Sequence, residues 1–357
     1  MGDTAQQEDL DDPDVGQDDP EYQGKQIIEG PAPLYKYTAI GLFVLIGVPI
    51  ASVCIFLLFS KMFNGAVEKP ERHNWTYAEM GARAPIWPGY YCQHGLQQSP
   101  INIPANRLLD EISADVDELA IEGDREWIDV TMHNHKSAVE LEPVNPSDTL
   151  KLHGADLNGK YFLQNIRFHW SLTNYMGSEH KLMGRAFPME IQFLFIRAGL
   201  TPPAANRVAG GYIAIAVFVD LDHTSLVRRT MVNMADSLAW IVDDERYTTA
   251  NLRLADLLPA DRQSYYQYQG SHTTPRCHES VEWIVMKNPI FVRADFLHAF
   301  RRLHNSDRAV ITNNSRPIQA LNGRSVRLRQ THHSHYPRMR FSAIIRTTRR
   351  RGRKRRD

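Results

Sequence analysis

Apolar and polar residues alternate along residues 161–195, YFLQNIRFHWSLTNYMGSEHKLMGRAFPMEIQFLF, in a pattern that predicts two neighbouring strands joined by a polar connection. Side chains alternate across a strand, so Phe168 and Trp170 fall on one face of the first strand and Arg167 and His169 on the other. Glu190 and Gln192 share a face of the second. Arg167, His169 and Gln192 are therefore expected to converge, with Glu179 and Glu190 close behind. GYIAIAVFVDL (211–221) and VEWIVM (281–286) read as further strands, and ADFLHAFRRL (294–303) is the clearest helical signal. A strand-rich domain with few, short helices is the expectation.

A different pattern covers residues 38–60, TAIGLFVLIGVPIASVCIFLLFS, which carry no charge and have no polar face. These 23 residues would reach about 35 Å as a helix, enough for a bilayer core of about 30 Å. Pro49 is tolerated in such a helix, and a single transmembrane helix is expected. Two rival readings are a cleaved signal peptide, disfavoured by the long apolar run and the acids before it, and a buried core helix. Residues 61–74 then form a short stalk, and a large domain follows over 75–329.

Formal charge sums to zero, with 41 Lys and Arg against 41 Asp and Glu, but the two ends are opposite in sign. Residues 1–37 hold ten acids against Lys25 and Lys36 and few large apolar residues, which predicts a disordered acidic tail. Residues 330–357, with THHSHY and RTTRRRGRKRRD, form a basic His/Arg-rich tail. It reads as a solvated tail, a contact for sulfated glycans or acidic proteins, or a processing site at RKRR. His333 and His335 alone make a weak metal pair. Nucleic acid or anionic lipid suits this tail only if it faces the cytoplasm, and nucleic acid is disfavoured.

The chemistry of the large domain is carried by FHW at 168–170, GSEH at 177–180 and Glu190, with WTY at 75–77 and QQSPINI at 97–103 before them. LLP at 257–259, YYQYQGSHTTPRCHESVEW at 265–283 and RPIQALNGR at 316–324 follow. Together these motifs resemble the α-type carbonic anhydrases, in that family's order, over about 250 residues. The resemblance implies a predominantly β fold, a twisted and mostly antiparallel sheet with small peripheral helices, here preceded by the transmembrane helix. It also implies a Cys92–Cys277 disulfide, matching the bridge of secreted and membrane-bound members; two unrelated buried thiols are the alternative, and Cys54 lies in the apolar run. Such a bridge, with an Asn-Trp-Thr glycosylation sequon at Asn74, favours a single-pass type II protein with the domain extracellular or lumenal. The flanking charges, Lys61, Lys69 and Arg72 after the span against Lys25 and Lys36 before it, lean slightly the other way. A second sequon at Asn313 falls in a segment the family packs against the domain and is expected to be unused.

Active members of the resembled family hold zinc with three imidazoles and use its bound hydroxide on carbon dioxide. The resemblance sets Arg167, His169 and Gln192 at those three ligand positions, so one histidine remains. Arginine has no lone pair to donate and glutamine only a neutral amide oxygen; no metal or other cofactor is expected. Arg167 is expected to pair with Glu190 or Glu179, with Gln192 in the same network. Thr273 and Glu179 match the pair that orients zinc-bound hydroxide, His135 the proton shuttle, and Trp283 a pocket wall. Without a metal they are read as remnants: a buried threonine–glutamate hydrogen bond, a cleft histidine and a core tryptophan. His272, Leu194 and Ala214 depart from the family's pocket lining.

The Arg, His, Gln set resembles the acatalytic carbonic anhydrase-related proteins of the X and XI type. This implies a pseudoenzyme acting as an extracellular interaction domain, with a protein partner, neurexin-like by resemblance, or a sulfated glycan. The anchor and the arginine tail depart from the secreted pattern of that branch. The alternative is residual zinc-dependent carbon dioxide hydration or esterase activity, with His133 and His135 as substitute ligands. A cytoplasm-facing scaffold is the third reading.

Overall fold

Ile128, Val130, Met132 and Asn134 point inward along one strand while Asp129, Thr131, His133 and His135 point outward, and this alternation is the unit from which the domain is built. The structure is a computed structural model that describes Tyr77 and residues 87–104, 110–113, 118–135, 138–145 and 150–330. The expected acidic tail, transmembrane helix, stalk with Asn74, and the basic tail beyond Gln330 lie outside the described residues. Among the described residues no helix is long and apolar enough to cross a membrane.

The strands in chain order are β1 (Asn102–Ile103), β2 (Asp110–Ser113), β3 (Ala120–Glu122), β4 (Ile128–His135), β5 (Ala138–Pro143), β6 (Lys151–His153), β7 (Tyr161–Trp170) and β8 (Lys181–Leu182). They continue with β9 (Met189–Arg197), β10 (Tyr212–Leu221), β11 (Tyr247–Leu252), β12 (Ser264–Gly270), β13 (Val281–Met286), β14 (Ile290–Val292) and β15 (Arg327–Gln330). One 13-stranded sheet runs β11-β4-β5-β7-β9-β10-β13-β12-β15-β2, with β14 beside β10 and β6 linking β3 to β7. It is mixed but mostly antiparallel: the parallel pairs are β10–β13, β10–β14 and β15–β2. The runs 211–221 and 281–286 form the strands expected of them.

One face of the sheet is the main core, built from β-branched and aromatic residues such as Ile166, Phe168, Ile191, Phe193, Ile215 and Ile284. Helix Arg229–Leu238 covers it with Met231, Met234 and Leu238, whose three- and four-residue spacing makes one stripe. Helix Ala294–Phe300 adds Phe296, Leu297 and Phe300. It is shorter than the sequence pattern suggested, because the chain turns after Arg301, whose N–H closes the last turn on the Leu297 carbonyl at 3.1 Å. On the opposite face a second apolar cluster, including Tyr266, Tyr268, Phe218 and Trp283, packs under Ile101 and Ile103 of the QQSPINI segment. The cleft opens on this second face.

Two features fasten the periphery. Asn134 is fully buried on the core side, and its amide donates to the Ile241, Val242 and His304 carbonyls at 3.1–3.2 Å, tying two loops to β4. Cys92, in helix Tyr90–His94, is bridged to Cys277 across 185 residues of chain, with Cα atoms 5.0 Å apart. The bridge that the resemblance implied is therefore present. Cys92→Ser is expected to lower stability by roughly 4–5 kcal/mol at most, the loop-closure contribution, read as a lower urea midpoint for equilibrium unfolding.

Candidate functional site

The site is a consequence of register. β7 and β9 run antiparallel with Arg167 opposite Gln192 and His169 opposite Glu190, so all four side chains share the cleft face. The three residues expected to converge, Arg167, His169 and Gln192, do lie together on neighbouring strands. The same row continues outward, since Glu140 of β5 stands opposite Arg167, and His133 of β4 opposite Glu140.

That row decides the partner of the guanidinium. Arg167 Nη2 lies 3.3 Å from Glu140 Oε1, and Nη1 donates to Thr274 Oγ1 at 3.2 Å. The expected pairing with Glu190 or Glu179 is thus corrected: both of those carboxylates are engaged beneath the cleft. Burial opposes the charge of Arg167, but Glu140, with Tyr77 and Glu179 adding to it, outweighs burial and holds the guanidinium above its ordinary pKa. Arg167 is a fixed cation, with its side chain about 24% exposed.

Gln192 is the hinge between the carboxylates. Its amide nitrogen donates to Glu179 Oε2 at 2.8 Å and to Glu190 Oε1 at 2.9 Å, joining the network as expected. Glu190 also accepts the His180 N–H at 2.8 Å and lies 2.8 Å from His180 Nδ1. Burial works against its charge, yet His180 prevails and lowers the carboxyl pKa. The relay continues from His180 Nε2 to Tyr268 at 2.6 Å and from Tyr268 to Ser99 at 2.9 Å. Glu179 Oε1 accepts the Arg316 backbone N–H at 2.9 Å. Thr273 is buried in the pocket lining but is not among the hydrogen-bond partners found for Glu179 in the described residues, so the anticipated threonine–glutamate pair is not formed.

His169 is fully buried, with Nδ1 2.8 Å from the Asn314 carbonyl. Asn314 in turn fixes β7: its side chain accepts the Trp170 N–H at 2.7 Å and donates to the Phe168 carbonyl at 2.9 Å. With Nδ1–H aimed at a carbonyl, Nε2 carries the lone pair, and it has no hydrogen-bond partner among the described residues. Gly177 of GSEH makes the neighbouring turn possible, since it sits at φ +138° where a Cβ would collide with the Pro188 carbonyl.

Tetrahedral zinc needs three protein lone pairs. His169 Nε2 is one; the amide oxygen of Gln192 is a weak neutral candidate, and Arg167 supplies none. Among the described residues no group of three or more His, Cys, Asp and Glu side chains is arranged to hold a metal. His133 and His135 share a face and stack with ring centroids 5.1 Å apart. They lie on β4, two strand spacings or about 10 Å from β7, so they do not complete a set around His169.

Two neighbouring cavities share Arg167 in their linings. The inner one, about 20 Å³, is lined by Ala214, Val281 and Trp283 together with Gln192 and Thr273, and the outer, about 260 Å³, by residues that include Tyr212, Thr274 and His278; Asn165 and Leu194 line both. Trp283 is held in place by its Nε1–H, which donates to the Ser271 carbonyl at 3.0 Å. His272 borders both cavities, and its ring stands edge-on to Tyr212 at 4.7 Å. Burial, then Arg167 and His278, push its pKa down to about 3. His135, expected as a cleft histidine, is exposed at the end of β4 and is not in the lining of either cavity. Glu140, Asn314 and Arg316 were missed as site residues. Register would have pointed to Glu140, and the segment NNSRP at 313–317, where the Asn313 sequon runs into RPIQALNGR, to the other two.

The sequence profile of the eukaryotic-type carbonic anhydrase family matches residues 83–330. Human carbonic anhydrase 7 is 30% identical over 267 residues, covering 71% of this chain and 97% of its own length. Rat mitochondrial carbonic anhydrase 5A is 32% identical over 267 residues, covering 72% of this chain and 86% of its own. The chain belongs to the eukaryotic-type carbonic anhydrase family.

The depressed pKa of His272 makes a pH prediction. The unfolded chain binds a proton at this residue near pH 6.5, whereas the folded one resists it until about pH 3. Stability therefore falls as pH drops through that window. His272→Leu should remove about 2 kcal/mol of the wild-type loss between pH 7 and pH 5, measured by urea unfolding at both values.

Proposed function

We propose that this domain is a catalytically silent carbonic anhydrase relative that has become a binding module. The observation that carries the reading is the Arg167 guanidinium, paired with Glu140 and set two residues along β7 from His169 on the same face. A permanent cation there opposes a divalent ion and cannot ligate it, and Gln192 spends its donors on two carboxylates. No zinc is bound, and no hydroxide is generated at neutral pH. Thr273, Glu179 and His135 then have no metal-bound oxygen to orient or to relieve of a proton.

The domain's disulfide supports an oxidising compartment. With the uncharged run at 38–60 and the sequon at Asn74, it supports a type II membrane protein whose domain faces outward and binds an extracellular protein or sulfated glycan. Zinc-dependent carbon dioxide hydration is the second reading, favoured by relatives whose names are those of carbonic anhydrases.

Purified full-length protein, dialysed against zinc, is expected to hold far less than one zinc per chain by plasma mass spectrometry and to leave stopped-flow carbon dioxide hydration at the buffer rate. Stoichiometric zinc with turnover contradicts the reading. The double substitution Arg167→His with Gln192→His should gain one zinc per chain, because it restores three imidazoles around one point. In intact cells, endoglycosidase should shift the mobility of the wild type and not of Asn74→Gln.

A further inference from the structure

We infer that the cleft is a receptor for a short monocarboxylate, its carboxylate held by Arg167 and Thr274 and its alkyl end lodged in the inner cavity. The inference rests on the proposal that no metal occupies the cleft. Arg167 lines both cavities. Among the described residues, one 3.3 Å contact to Glu140 and one 3.2 Å contact to Thr274 engage the five N–H donors of its guanidinium. A planar carboxylate matches the remaining donors of a guanidinium, and the Thr274 hydroxyl, accepting from Nη1, keeps its own proton to donate.

The negative groups nearby do not cancel this. Glu179 and Glu190 are saturated from beneath by Gln192, His180 and the Arg316 N–H. Glu140 accepts from Asn165 as well as from Arg167. A cationic ligand would meet Arg167 head-on.

The walls select the rest of the ligand. Leu194, Ala214, Val281 and Trp283 give the inner cavity an apolar wall, which Asn165, Gln192, His272 and Thr273 complete, and its roughly 20 Å³ admits a tail of one or two carbons. Acetate and propionate fit this shape, an anion with one or two carbons behind it. A sulfate or phosphate would set charged oxygens against the apolar wall, and a branched acid would not enter.

The test uses the full chain in detergent, stripped with EDTA and verified zinc-free, with carboxyl-¹³C acetate and propionate observed by NMR line broadening. One saturable site is expected, with propionate about three- to fourfold tighter than acetate from its added methylene and pivalate not saturating. Arg167→Gln should weaken propionate about ten- to hundredfold, the loss of a charge-assisted hydrogen-bonded pair. Ala214→Val leaves the guanidinium in place and should abolish the preference for propionate, so a poorly folding Arg167 variant does not protect the claim. Absence of saturation in the zinc-free wild type, equal binding by Arg167→Gln, or equal competition by chloride and sulfate overturns it. Binding that appears only on adding zinc overturns the metal-free reading instead, so the two failures are distinct.

Discussion

The antiparallel pairing of β7 with β9 is the constraint on which the site depends. Its register sets Arg167 against Gln192 and His169 against Glu190, and a slip of one residue would turn all four into the apolar core. Asn314 guards that register from outside the sheet, clamping the Phe168 carbonyl and the Trp170 N–H with one side chain while its carbonyl orients His169. The same ladder extended to β5 gives Arg167 its carboxylate.

Charge at the cleft floor is arranged in two levels. The lower holds Glu179 and Glu190, bridged by Gln192 and closed by His180 and the Arg316 backbone. The upper holds Arg167 and Glu140. Burying carboxylates is costly unless each is hydrogen-bonded, and here Glu190 has Gln192 and His180 as partners and Glu179 has Gln192 and the Arg316 N–H. Here a guanidinium supplies positive charge from above and a glutamine amide separates it from the buried acids. A cavity therefore remains over a floor whose carboxylates already have partners.

Much of this was legible in the sequence. Period-two alternation fixed which face Arg167, His169, Glu190 and Gln192 occupy, and the motif order from QQSPINI to RPIQALNGR carried the family. Through the family it carried the disulfide too. The partner of Arg167 was not legible in the same way. Glu179 and Glu190 are near Arg167 in the sequence and carry the right charge, but partners in a sheet are chosen by cross-strand register, which brought in Glu140 from 27 residues away. The Thr273–Glu179 pair failed for a related reason: Gln192, standing one position from Glu190, donates to both carboxylates. The shorter helix at 294–300 reflects the turn that follows Arg301, which helical periodicity does not encode.

The central claim is that the seat beside His169 Nε2 is held by a guanidinium and not by a metal. Anomalous diffraction at the zinc edge, from crystals grown with zinc present, tests it most directly. The account predicts planar density for Arg167 against Glu140 and no anomalous peak within bonding distance of His169 Nε2, about 2.0–2.1 Å for zinc. A strong peak at that distance, with Arg167 swung out of the cleft, would contradict it.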